Sequence, residues 1–253
     1  LTLNNINAKS RPDAHTFVVA FARSLVTYVL VSSRRRLRRL LASAATSARG
    51  APHSSVEYRL RQTKLMKIGV FALQGAFIEH EHALQKLGAE VVEIRRLAHF
   101  SEHFDGLVLP GGESTVQGKL LREEGLFAPL KSAIEGGMPV LATCAGLILL
   151  ANKIEGGEAP HLQTLNVTVR RNAYGRQLGS FTANTEVKGI GEYPAVFIRA
   201  PYVSEAGEGV DVLSVVGGKT VAVRQGKMLA LAFHPELTDD LRVHEYFLKI
   251  IKG

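Results

Sequence analysis

From Lys67 onward the chain keeps returning to short apolar runs, Lys67–Leu73, Glu90–Ile94, Gly106–Leu109 and Met138–Ala142, separated by stretches whose apolar residues recur at helical spacing. Strands this short and this apolar leave little side for water, so they belong in a sheet covered on both faces; helices between them make the pairing parallel. The helices are expected over Ala76–Leu87, ended by Gly88, and over Ser114–Glu123, Leu126–Glu135 and Ala145–Lys153. Past residue 160 the pattern changes. Leu165–Val169, Ala195–Arg199, Asp211–Val216, Thr220–Arg224 and Met228–Phe233 read as strands, joined by glycine turns such as Gly217-Gly218 and Gln225-Gly226. They predict an antiparallel extension of the sheet, closed by a helix over Asp239–Ile251.

Ligands of an open α/β sheet gather beyond the carboxyl ends of its strands, and three motifs fall there. Cys144, the single cysteine, sits between the run Met138–Ala142 and the next helix, flanked by the small residues Thr143, Ala145 and Gly146. A thiol on a sharp strand-to-helix turn projects from the sheet edge, with a helix N-terminus behind it to favour thiolate and oxyanion. Taken alone, the same residue reads better as a buried structural cysteine, and only the motifs that follow tip the balance. His234 and Glu236 follow Met228–Phe233, two positions apart, so the carboxylate can fix the imidazole tautomer while the other ring nitrogen faces a thiol. Pro110-Gly111-Gly112 follows Gly106–Leu109 and enters a helix through Glu113 and Ser114. A turn free of Cβ atoms can aim backbone N–H groups at an anionic oxygen.

These motifs, together with Gly69–Gly75, Glu79-His80, Arg171–Gln177, Phe197–Pro201 and Val221–Gln225, resemble the glutaminase subunits of pyridoxal 5′-phosphate synthase, a family of class I glutamine amidotransferases. The resemblance runs from Met66 to Gly253. It implies a flavodoxin-like three-layer α/β sandwich with a mixed, mostly parallel sheet and an antiparallel extension. It also implies hydrolysis of L-glutamine to L-glutamate and ammonia through a thioester, without cofactor or metal. Cys144 would be the nucleophile, His234 the proton carrier and Glu236 its orienting carboxylate; Gly112 and Ala145 would form the oxyanion hole. Gly112, Glu113, Ser114, Arg171, Ile198 and Arg199 would hold the substrate, and Gln74 would order the oxyanion loop. The implied partner is a (β/α)8-barrel synthase subunit, assembled as a ring with docked glutaminases, which builds pyridoxal phosphate with the ammonia. Two positions depart from the family pattern: Ala142 stands where the superfamily usually has Gly, and Thr182 where the family commonly has an acid. A Cys-elbow hydrolase or deglycase of the same architecture is the nearest alternative; a non-catalytic module that binds RNA or membrane through a basic segment is a more distant one.

The net charge of +8 points away from that last reading for the catalytic part. Residues 1–65 hold twelve Lys or Arg against Asp13 and Glu57, a net +10, which leaves −2 for residues 66–253. Neither nucleic acid nor membrane is therefore an expected partner of the catalytic part. The extension is read as disordered or non-native upstream sequence, or as an organelle transit segment, being rich in Arg and Ser and poor in acids. Its apolar stretch Phe17–Val31 is interrupted by Arg23 and falls short of the ~20 residues of a bilayer span. One cysteine rules out an internal disulfide, and a catalytic thiol needs a reducing compartment, so the expected location is cytoplasmic. His80, His82, His99 and His103 lack the spacing of a zinc site and are read as solvated.

Overall fold

A computed structural model describes residues 65–171 and 179–253. The basic extension and residues 172–177 of the Arg171 motif lie outside the described residues. Five strands form a parallel half-sheet in the order β2 (Glu90–Ile94), β1 (Lys67–Phe71), β3 (Gly106–Leu109), β4 (Val140–Thr143) and β12 (Met228–Leu231). β3 and β4 are buried along their whole length, as their unbroken apolar sequences require. From β12 the sheet continues through β11 (Lys219–Gln225), β9 (Tyr202–Ala206) and β6 (Leu165–Arg170), each antiparallel to its neighbour, and ends at β5 (Ala151–Ile154). A further strand, β10 (Asp211–Val216), pairs with β11, while β7 (Ser180–Val187) and β8 (Gly191–Ile198) form a separate hairpin.

The helices are α1 (Phe77–Lys86), α2 (Ser114–Glu123), α3 (Phe127–Glu135), α4 (Ala145–Leu150) and α5 (Arg242–Lys252). Strand order decides where they go. The crossover from β1 to β2 through α1 runs one way along the sheet, and that from β3 to β4 through α2 and α3 runs the other. Right-handed crossovers in opposite directions place α1 on one face and α2 and α3 on the other. The same reversal opens a crevice at the carboxyl ends of β1 and β3, where Gln74 and Gly111-Gly112 sit.

Three local expectations are corrected. The helix expected over Ala145–Lys153 stops at Leu150, because Ala151 turns extended (φ −57°, ψ 140°) and opens β5. β7 and β9 are absent from the sequence reading: β7 turns Thr185 inward, buried on a hydrogen bond to Ser214, and of the five residues of β9 only Val203 is buried. Met228–Phe233, grouped with the antiparallel strands, is the seam of the sheet: β12 is parallel to β4 and antiparallel to β11. Ala142, the departure from Gly before the cysteine, is fully buried in β4 opposite Leu109 and Ala230, where its methyl group is accommodated. Thr182 lies in β7 opposite Val196. Among the described residues no helix is long and apolar enough to cross a membrane.

α4 packs so closely on β3 that a Cβ at Gly146 would lie 2.2 Å from the Leu109 carbonyl oxygen. Gly146→Ala is therefore expected to cost about 1–3 kcal/mol or more in urea denaturation. Gly179→Ala, where a Cβ would meet nothing within 4 Å, should change stability by less than about 0.5 kcal/mol.

Candidate active site

Cys144 joins β4 to α4 with φ 47° and ψ −99°, a conformation that costs a non-glycine residue on the order of 1–3 kcal/mol. The surroundings impose it. Its N–H donates to the Leu231 carbonyl at 2.8 Å, continuing the β4–β12 ladder one residue past the strand, while the chain behind it must already enter α4. The side chain is thereby turned to the sheet edge, 6% exposed, with the sulfur 3.9 Å from the Ile198 carbonyl oxygen.

β12 delivers His234 to the same edge. Its N–H donates to Val196 O at 2.8 Å, and its ring lies over Gly111, where a Cβ would come within 2.3 Å of the imidazole Cε1. The glycine is demanded by this contact. His234 Nδ1 meets Glu236 Oε1 at 2.7 Å, and the ring lines the same cleft as Cys144. Burial acts to lower the pKa of His234, but the hydrogen bonds and charges of Cys144 and Glu236 outweigh it and push the value up to about 10. Glu236 is held below the usual carboxylate range: burial pushes it up, and the imidazoles of His80 and His234 more than offset that.

The loops after β1 and β3 are clasped together. Gly75 (φ 102°) lies so close to Gly111 that a Cβ would fall 1.8 Å from its carbonyl oxygen, and Ala76 N–H donates to that oxygen at 3.1 Å. Gln74 Oε1 accepts from Glu113 N–H at 2.7 Å, and Gln117 Nε2 donates to Gln74 O and Pro110 O. Glu113 caps α2 by accepting from Thr115 and Val116 N–H, and Arg171 Nη2 donates to it at 2.9 Å while Nη1 pairs with Glu158. Burial raises the pKa of Glu113, but the Val116 and Thr115 amides and Arg171 bring it below the ordinary value.

A cleft of about 260 Å³ gathers Gln74, Gly112, Glu113, Ser114, Cys144, Arg171, Ile198, Arg199 and His234 on its walls. Of the remaining sequence-predicted residues, Ala145 is buried where α4 begins, and Glu236 is buried behind His234. Ile148 also lines the cleft and was missed, although its place four residues after Cys144 on one helix carries the signal. His80 corrects the reading of solvated histidines: it is fully buried, with Nδ1 2.9 Å from His244 Nε2, Nε2 3.2 Å from Thr143 Oγ1 and Nε2 3.3 Å from Glu236 Oε2. The signal was its register with Ala83 and Leu84 on the apolar face of α1. His82 and His103 are exposed, and His99 is half-buried.

The model of the SNO glutamine amidotransferase family matches residues 70–252. The chain belongs to this family. Two curated relatives from strains of Streptococcus pneumoniae, each named pyridoxal 5′-phosphate synthase subunit PdxT, are 52% identical over 190 residues, which cover 74% of this chain and 98% of theirs. A crystal structure described as a glutamine amidotransferase aligns with TM-score 0.70 and 49% identity, covering 74% of this chain and 99% of its own. The structure of PurLQS from Thermotoga maritima shares the fold at TM-score 0.56 and 15% identity, covering 73% of this chain and 98% of its own.

Because the folded pKa of His234 lies above its unfolded value of about 6.5, its contribution to stability is complete below that pH and is lost as pH rises through about 10. NMR titration of the His234 ring should show the raised midpoint. Glu236→Gln should lower it and flatten the decline of the urea midpoint between pH 7 and 10.

Proposed function

We propose that Cys144, His234 and Glu236 carry out the glutaminase reaction of this family member within a catalytic domain spanning residues 66–253. The protein hydrolyses L-glutamine to L-glutamate and ammonia and supplies the ammonia for synthesis of pyridoxal 5′-phosphate. The observation that carries the assignment of residues is that one cleft is lined by both the Cys144 side chain and an imidazole whose Nδ1 is held by a buried carboxylate.

In this mechanism the Cys144 thiolate attacks the side-chain amide carbon of glutamine, and the carbonyl electron pair moves onto oxygen. The N–H groups of Ala145 and Gly112 receive that oxyanion; each such donor is worth roughly 3 kcal/mol of barrier. The protonated imidazole of His234 gives its proton to the amide nitrogen, the C–N bond breaks, and ammonia leaves a glutamyl thioester. His234 then takes a proton from water as it attacks the thioester, and collapse of the second tetrahedral intermediate returns the thiolate and releases glutamate. Glu236 keeps the imidazole in one tautomer and balances its charge.

The glutamine backbone carries a carboxylate and an ammonium group. Arg171 and Arg199 supply positive charge at the cleft wall, and Glu113 with the Ile198 carbonyl supplies acceptors for the ammonium. Gln74 holds the oxyanion loop through Glu113 N–H, so a partner that moves Gln74 moves the hole. That partner is the synthase subunit, a (β/α)8 barrel assembled as a ring, against which the open cleft docks. A nucleophile that must stay reduced supports a cytoplasmic location.

Glutamate release, measured with and without the synthase subunit, tests the reading. Activity should rise on docking, and Cys144→Ala should lower it on the order of 10⁵-fold in either state. Retention of activity by Cys144→Ala would refute the assigned nucleophile.

A further inference from the structure

Glu236 is bonded through one oxygen only. Oε1 accepts from His234, whereas the buried Oε2 has no aligned hydrogen bond among the described residues. The nearest donor-capable atom recorded for it is His80 Nε2, at 3.3 Å. That ring is fully buried on α1 and is wedged between Thr143, at the end of the strand that leads to Cys144, and His244 of α5. Three elements therefore converge behind the carboxylate. A neutral ring carrying one N–H and one lone pair can serve it.

We propose that His80, backed by His244, is a positioning residue for the glutaminase reaction: its Nε2–H is presented to Glu236 Oε2 and Thr143, and so fixes the carboxylate against the imidazole of His234. The inference rests on the roles given above to Cys144, His234 and Glu236.

The chemistry of the partners sets the direction of the chain. An ionised Glu236 only accepts, so Nε2 of His80 must carry the hydrogen, and Nδ1 then offers a lone pair. His244 Nε2, 2.9 Å away, must donate to that lone pair. The last atom, His244 Nδ1, is left as a bare acceptor, buried without a hydrogen-bond partner among the described residues. An unused acceptor is less costly there than an unused N–H. The groups that bear on the His80 ring are Glu79 on its own helix, Glu236 and His234 after β12, and His244 on α5. Burial lowers the pKa of His80, against the pull of Glu236, and lowers that of His244 to about 3, so both rings are neutral near pH 7. Donors then run from His244 through His80 to Glu236, and Glu236 accepts on its other oxygen from His234 Nδ1–H. Removing the donor to Oε2 frees the carboxylate to rotate and raises its affinity for a proton.

The test uses the full-length chain with its synthase subunit and compares His80→Gln with His80→Asn. Both replacements are polar and smaller than the ring, but the Gln amide nitrogen reaches the place of Nε2, whereas that of Asn reaches only the place of Nδ1. His80→Gln is expected to keep kcat for glutamine hydrolysis within about threefold. His80→Asn is expected to lose kcat on the order of 10–100-fold, the size of effect seen for outer partners that orient a reacting centre. KM should hardly change, because the Arg171 wall is untouched, and the acid limb of kcat/KM should move to higher pH in the Asn variant alone. Equal kcat and identical pH profiles for the two variants would overturn the proposal. Tautomer-resolved ¹⁵N NMR of the unmodified chain gives an answer independent of variant folding: His80 protonated on Nε2 is required, and protonation on Nδ1 alone would refute it. Cys144→Ala in the same assay separates the two levels, since its retained activity would sink the nucleophile assignment, while its inactivity beside equivalent Gln and Asn variants would sink only the role of His80.

Discussion

The site depends on one strand pairing. β4 and β12 run parallel with Thr143 opposite Leu231, and the ladder extends by one more hydrogen bond, from Cys144 N–H to the Leu231 carbonyl. Two segments about ninety residues apart thus leave the sheet at the same level. A slip of one residue in this register would turn every side chain of β12 to the opposite face and carry His234 away from the sulfur. The backbone bond also opposes the strain at Cys144, whose positive φ is the cost of turning the chain into α4 within one residue.

Close approach without side chains builds the rest of the rim. Gly111 leaves room for the His234 ring, Gly75 for the Gly111 carbonyl, and Gly146 for the Leu109 carbonyl. Each contact lies where a Cβ would collide, and only Gly75 also needs a positive φ. The glycines around the cleft therefore act chiefly through spacing and let three loops share one edge. Polar side chains then tie those loops, with Gln74, Gln117 and Glu113 bridging the ends of β1 and β3 to the start of α2.

Much of this was legible before any coordinates. Apolar runs at strand length separated by helical spacing gave the parallel half-sheet, and three weak motifs, each following such a run, marked the cleft. What stayed hidden had weak local signals. β7 places Thr185 inward, where alternation expects an apolar residue, and β5 follows α4 directly, with no turn residue between them. His80 looked like one of four ordinary histidines because its partners, Thr143, Glu236 and His244, are remote in sequence.

The sequence by itself determined the chemistry on offer: one thiol at a small-residue turn, one His-x-Glu pair and one Gly-Gly loop. Residue type and local spacing suffice for that, since both are properties of a short stretch of chain. Only the tertiary structure decided that the sulfur and the carboxylate-held imidazole face one cleft, and that a second, buried histidine pair stands behind them. Those contacts are fixed by strand register and helix packing between distant segments, which no local window of sequence contains.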